Sequence, residues 1–238
     1  MSGATTGPVV VVATEETAVA WTLVLRARGI DARACPASRV AAPESRDAVR
    51  DALLAAGDAL VLATSPNAVR FLPDAAGRGR PAAAVGAATA RALRAAGFAV
   101  EARGESGAED LARRLVEGPA RHVLWLRGEV AREEGAATLR AAGWTVDEVV
   151  AYRVVPHEGF AACVATGPAR AYVLGSPRSV AALVLALRAA GRTAWLSAPL
   201  VTVGATTLEA IVAHGFPGGI AATEPTVEAV VAAVESLP

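Results

Sequence analysis

The chain contains no lysine: all 23 of its basic residues are arginine, and 23 aspartates and glutamates balance them over 238 residues. With no net charge, no global field draws it to nucleic acid or to an anionic membrane, so any anion it binds must be held by local geometry. Aromatic residues are scarce at 4%, and Trp21, Trp125, Trp144 and Trp195 do not form a stacking platform by spacing. Long hydrophobic runs are missing too. Stretches such as Pro8–Ala13 and Val180–Leu187 fall well short of the roughly 20 residues that cross a bilayer. His122, His157 and His214 are dispersed, and no histidine or cysteine pair has metal-ligand spacing. Neither a Walker loop nor a Gly-x-Gly-x-x-Gly run occurs, so metal, nucleotide and nicotinamide chemistry lack their residues. The two cysteines, Cys35 and Cys163, lie far apart in a chain without a recognisable signal peptide. That predicts two buried free thiols and a cytoplasmic protein.

What remains is an aliphatic, alanine-rich chain, 53% hydrophobic, long enough for one large domain or two small ones. Short β-branched runs alternate with stretches of helical period, the pattern of parallel strands under crossover helices. The first unit is strand Val9–Ala13, a helix over 16–28, and strand Ile30–Cys35. Alternation continues through a helix over 46–56, strand Ala59–Ala63, helix Pro66–Leu72, strand Ala82–Val85, a helix over 87–96, strand Phe98–Ala102, a helix over 108–117, strand His122–Leu126 and a helix over 132–142. Glycines at 29, 57, 97 and 143 stop several of these helices. A strand near Thr145–Val155 restarts the pattern.

The second half then repeats motifs of the first. Leu62-Ala-Thr-Ser-Pro-Asn-Ala-Val69 aligns with Val173-Leu-Gly-Ser-Pro-Arg-Ser-Val180, and Val85-Gly-Ala-Ala-Thr-Ala90 aligns with Val203-Gly-Ala-Thr-Thr-Leu208, in the same order and with slightly longer spacing in the second copy. Duplication gives two similar α/β lobes with parallel, flavodoxin-like sheets. Proline-containing stretches at 36–43 and 150–157 suggest interlobe linkers. Residues 1–35 would then join 158–238 in one discontinuous lobe, and 44–149 would form the other. Two consecutive domains cut near residue 150 are the alternative, disfavoured because a lone strand–helix–strand unit is too small to stand apart.

Ser65-Pro66 and Ser176-Pro177 each follow a strand and open a helix, with serine as cap and proline at the first helical position. Gly86-Ala-Ala-Thr89 and Gly204-Ala-Thr-Thr207 do the same, with a hydroxyl in the first turn. One such motif alone is a helix cap. Both motifs in both lobes put unpaired amides and positive dipole ends at the carboxyl edge of two sheets, a pattern that favours anion binding.

With Ala63-Thr-Ser-Pro-Asn-Ala-Val69, Ala84-Val-Gly-Ala-Ala-Thr-Ala90, Leu124-Trp-Leu-Arg-Gly-Glu-Val-Ala-Arg132, Ala142-Gly-Trp-Thr-Val-Asp-Glu-Val-Val-Ala-Tyr-Arg153, the second serine-proline motif and Val203-Gly-Ala-Thr-Thr207, the chain resembles the uroporphyrinogen-III synthases over nearly its whole length. The resemblance implies two lobes joined by a two-stranded linker, with the active site in the cleft between them. It implies a cofactor-independent lyase of heme and tetrapyrrole biosynthesis that cyclises the linear tetrapyrrole hydroxymethylbilane to uroporphyrinogen III, losing water and inverting the last pyrrole ring. Tyr152 matches the tyrosine the family presents to the cleft and is the expected catalytic residue. Ser65, Thr89, Ser176, Thr207 and the nearby arginines Arg127, Arg132 and Arg153 are the expected substrate-binding residues. The expected partners are the small-molecule tetrapyrrole and, for its transfer, hydroxymethylbilane synthase, with no metal or organic cofactor, no nucleic acid and no membrane, and the protein acting as a monomer. One departure is visible: where the family commonly has an arginine after the threonine ending the first strand, Thr14 is followed by Glu15 and Glu16. That departure motivates a second reading, a non-catalytic two-lobed sensor or binding protein for an anionic small molecule.

Overall fold

A computed structural model describes residues 7–130, 133–216, 218–224 and 226–237. The valine run opens the chain as β1 (Val9–Val12), wholly buried as a strand covered on both faces must be, and leads through α1 (Glu15–Ala27) to β2 (Ala32–Ala34). Next come β3 (Ser38–Ala41), α2 (Arg46–Ala55), β4 (Leu60–Ala63), β5 (Pro81–Val85), α3 (Gly86–Ala95), β6 (Ala99–Gly104), α4 (Ala108–Leu115), β7 (His122–Gly128), α5 (Glu134–Ala141) and β8 (Thr145–Pro156). The chain ends with α6 (Phe160–Val164), β9 (Ala171–Leu174), α7 (Pro177–Ala189), β10 (Leu200–Thr202), α8 (Ala205–Ala213), β11 (Ile220–Ala221) and α9 (Val227–Glu235). Helices α1 and α3 stop at Gly29 and Gly97, whose φ of 76° and 87° is the left-handed conformation expected of a glycine cap.

Contacts divide the chain into two units, Met1–Arg39 with Val155–Pro238, and Val40–Val154. In the first, five strands lie in the order β11-β10-β9-β1-β2, and each of those neighbouring pairs is parallel. Val10, Val12, Tyr172 and Leu174 point to one face, under α6 and α7, while Val9, Val11, Ala171 and Val173 point to the other, under α1 and α9. In the second unit the order is β3-β8-β7-β4-β5-β6, with Val61, Ala63 and Leu124 on one face and Leu60, Leu62 and Trp125 on the other. Gly135 lets α5 lie on this second face, because a Cβ there would sit 2.6 Å from the Trp125 ring.

Dropping β3, the second sheet reads β8-β7-β4-β5-β6, which matches β2-β1-β9-β10-β11 of the first when each serine-proline strand is aligned with its copy. The duplicated motifs therefore occupy the same places in two sheets of the same order. The difference is that the first unit starts the chain with the two strands that finish the second.

Two expectations need correction. The helix expected at Pro66–Leu72 is a single 3₁₀ turn, Pro66–Ala68. Pro73 disfavours the helical conformation at Leu72, so no continuous helix forms up to it. Within the stretch expected as one of the two linkers, 36–43, lies β3, which joins a sheet. The cysteines are not free: Cys35 and Cys163 form a disulfide with Cα atoms 5.6 Å apart, and no free cysteine remains. Their separation of 128 residues misled, because Cys35 follows β2 and Cys163 sits in α6, two pieces of one discontinuous unit. The cysteine argument for a reducing compartment goes with it.

A bond that closes so long a loop restricts the unfolded chain, so reduction is expected to lower the stability of this unit by about 2–4 kcal/mol. Calorimetry with and without dithiothreitol checks this. A transition that does not move, with both thiols shown free by titration, would refute it.

Candidate active site

Each sheet reverses its strand order once. In the second unit β4 is followed outward by β5 and β6 on one side while β7 and β8 lie on the other, so the reversal falls between β4 and β7; in the first unit it falls between β9 and β1. Connections leaving such neighbours go to opposite faces and open a crevice at the carboxyl edge, the usual ligand position in open α/β sheets. Ser65 leaves β4 there, and Arg127 and Gly128 end β7. Ser176 leaves β9, and Thr14 leaves β1.

The hydroxyls at these starts are mostly engaged. Ser65 Oγ accepts the N–H of Asn67 at 3.2 Å. Ser176 Oγ accepts the N–H of Ser179 at 3.2 Å and lies 3.0 Å from the Ser179 hydroxyl. Thr89 and Thr207, in the first turns of α3 and α8, are only 2% and 3% exposed. What these turns present outward is backbone N–H, the four donors that no helix satisfies internally. At the start of α1, Glu15 and Glu16 occupy the first turn and offset its positive end.

The expected arginines are held by acids. Arg127 Nη1 donates to Glu148, whose other oxygen accepts from Arg140 at 2.8 Å. Arg153 donates from Nε to the Ala42 carbonyl at 3.2 Å and from Nη1 to Glu44 at 2.9 Å. Glu44, Glu129, Glu148 and Arg153 line one cavity of about 300 Å³. In that lining Glu148 is already paired with Arg127 and Arg140, and Arg153 is paired with Glu44. Arg132 lies outside the described residues. Among the described residues no group of three or more His, Cys, Asp or Glu could hold a metal ion.

Tyr152 stands on β8 opposite Gly128, where the ladder between β7 and β8 slips by one residue. Its ring lies directly over that glycine: a Cβ at 128 would be 2.9 Å from Cζ and 3.0 Å from the hydroxyl oxygen. No side chain fits beneath the phenol, so Gly128 seats it. The structure thus gathers Tyr152, Arg127 and Arg153 on β7 and β8, with Ser65 across the reversal and Thr89 one strand further on. Ser176 and Thr207 belong to the other unit. Sequence reading missed Gly128, Glu148 and Glu44. Only Gly128 left a trace, as a glycine closing a strand beside the matched Leu-Arg-Gly-Glu run.

Burial pushes the Glu148 carboxyl up, but the hydrogen bonds and charges of Arg140 and Arg127 outweigh it, leaving the carboxyl below its ordinary range. A depressed carboxylate stabilises the fold above its unfolded pKa and loses that contribution as pH falls through the folded value. Glu148→Gln is therefore expected to cost about 1 kcal/mol near pH 7, with the gap to wild type closing below about pH 4. Urea unfolding of both proteins across this range checks it, and a gap independent of pH would refute it.

The family profile Uroporphyrinogen-III synthase HemD matches residues 19–232. No curated protein sequence matches the chain. Among solved structures, uroporphyrinogen-III synthetase from Helicobacter pylori matches with a TM-score of 0.66 and 18% identity, over 98% of this chain and 100% of that one. A mutant uroporphyrinogen III synthase from Thermus thermophilus matches with a TM-score of 0.64 and 18% identity, over 95% of this chain and 97% of that one. At such identity these two are likenesses of fold. The profile spans most of the chain, including both copies of the serine-proline and glycine-threonine motifs at the strand ends, and on that match the chain belongs to the uroporphyrinogen-III synthase family.

Proposed function

We propose that this member of a family of heme-biosynthetic enzymes is a working lyase, closing hydroxymethylbilane to uroporphyrinogen III without metal or organic cofactor. The observation that carries the reading is the family match across 19–232, laid over two sheets whose carboxyl edges repeat the same helix starts. A substrate with eight carboxylates needs many donors, and a chain with no net charge supplies them through backbone amides at α3, α7 and α8. The hydroxymethyl oxygen leaves as water after taking a proton, and the electrophilic carbon left behind is attacked by the substituted carbon of the last ring. The resulting spiro intermediate reopens and closes with that ring inverted. The enzyme's part is to hold the chain coiled for this attack before the uninverted closure occurs, which is catalysis by orientation with modest acid assistance. Tyr152, seated on Gly128, is the proposed donor to the departing hydroxyl. The substrate is proposed to come from hydroxymethylbilane synthase to a cytoplasmic monomer. No helix among the described residues is long and apolar enough to cross a membrane.

Coupled to a deaminase that supplies hydroxymethylbilane, the protein is expected to shift the product from the type I to the type III isomer, resolved by chromatography after oxidation. Folded protein that leaves type I product unchanged would overturn the reading in favour of a binding protein. Tyr152→Phe removes only the phenolic O–H and is expected to lower kcat by up to roughly 100-fold with KM little changed. Gly128→Ala displaces the same phenol without removing it. It is expected to lower kcat when Tyr152 is intact but to add little when combined with Tyr152→Phe. Wild-type turnover by Tyr152→Phe would make the tyrosine structural.

A further inference from the structure

In the first unit, one row across the sheet carries an unusual combination. Val10 of β1 is paired with Arg33 of β2 on one side and with Tyr172 of β9 on the other, so all three side chains project from the same face. Neighbouring strands are about 4.8 Å apart, which sets Arg33 and Tyr172 roughly 10 Å apart at Cα, with one short valine between two long polar side chains. Tyr172 is fully buried, and its hydroxyl has no hydrogen-bond partner. Arg33 is partly exposed as a residue, but its Nε and Nη2 are sealed from solvent and unpartnered, while Nη1 lies outside the sealed set.

These three atoms are costly as they stand. A buried polar group without a partner loses its hydration for nothing, and a guanidinium cannot shed its charge to escape. Nε and Nη2 form the edge that grips an anion with two parallel hydrogen bonds, and the tyrosine hydroxyl can add a third donor. Burial pushes the Tyr172 phenol up, and the charge of Arg33 is near enough to pull the other way. A water molecule would satisfy the donors and leave the charge uncompensated; an anion answers both. Neither residue lines the cavity around Leu196 and Leu200, and two long side chains flanking one valine at this strand spacing leave space for an ion at most.

We propose that Arg33 and Tyr172 form a binding site for one small monovalent anion of halide size, gripped by Nε and Nη2 of the arginine and the hydroxyl of the tyrosine. Nη1, at the margin of the sealed region, marks the route by which the ion exchanges with solvent. The site stands on the sheet face covered by α6 and α7 and uses none of the residues assigned to the reaction, so it acts on the stability of this unit rather than on turnover.

The test uses the full chain with its disulfide intact and bromide as probe. Crystals grown in bromide are expected to show an anomalous peak between Arg33 and Tyr172. In solution at constant ionic strength, replacing gluconate by bromide is expected to raise the unfolding midpoint of the wild type by roughly 3–6 °C per tenfold increase once the site is filled. Arg33→Met, similar in length and without charge, is expected to abolish the rise. Tyr172→Phe, which keeps the shape of the core, is expected to move its onset to higher bromide and serves as the readout should Arg33→Met fail to fold. Density for water alone, an anomalous peak with no matching thermal shift, or a bromide dependence that survives in both variants would each overturn the proposal.

Discussion

The constraint on which everything else rests is that parallel neighbours cannot be joined by a tight turn. Each connection must cross back over the sheet, so strands all finish at one edge and the helices that follow them start there. In this chain that rule acts twice, in sheets of the same strand order. It concentrates unsatisfied amides from α3 and from α7 and α8 at the carboxyl edges, beside the places where strand order reverses. These unsatisfied amides are thus a by-product of topology. They would be present whatever side chains stood nearby.

That explains how a chain with no net charge and no lysine can belong to a family that handles a polycarboxylate. Its arginines are largely committed elsewhere: Arg127 and Arg140 to Glu148, Arg153 to Glu44, and Arg121 to Glu101. The exposed pair of Arg121 and Glu101 adds little stability, whereas Arg127 and Glu148 are both largely buried and hold each other in place. The same argument softens the departure at Glu15 and Glu16. Two acids in the first turn of α1 complement its dipole and favour the fold, and they offset the positive end that the starts of α3, α7 and α8 keep.

How far the residues alone revealed this depends on whether the information is local. The alternation of strands and helices, the glycine stops and the duplicated serine-proline motif are local, and they suffice for two parallel α/β lobes. Tertiary contact carries the rest. Thr89 looks like an available hydroxyl in sequence, yet the period of α3 turns it inward. Gly128 reads as an ordinary strand end until β8 brings Tyr152 over it. Glu148 is one acid among 23 until β7 and α5 deliver arginines to both of its oxygens. Arg33 and Tyr172 are 139 positions apart in sequence, and only the pairing of both with Val10 puts them in one row of the sheet.

The disulfide is the sharpest case, because the inference that failed there and the reading of the two chain ends as one unit contain the same fact. Reading the chain as a discontinuous unit rested on the opening strand–helix–strand being too small to fold alone. That piece must then find its partners after Val155, and the residues that end β2 must lie beside whatever covers the sheet there. Cys163 in α6 is part of that cover. A unit assembled from the two ends of a chain has a larger closure entropy to overcome than one built from a continuous stretch, and Val40–Val154 has no such gap to close. The bond between Cys35 and Cys163 falls in the unit that needs it, joining its two pieces covalently, and distance along the sequence, which argued against the pairing, is the reason it has an effect.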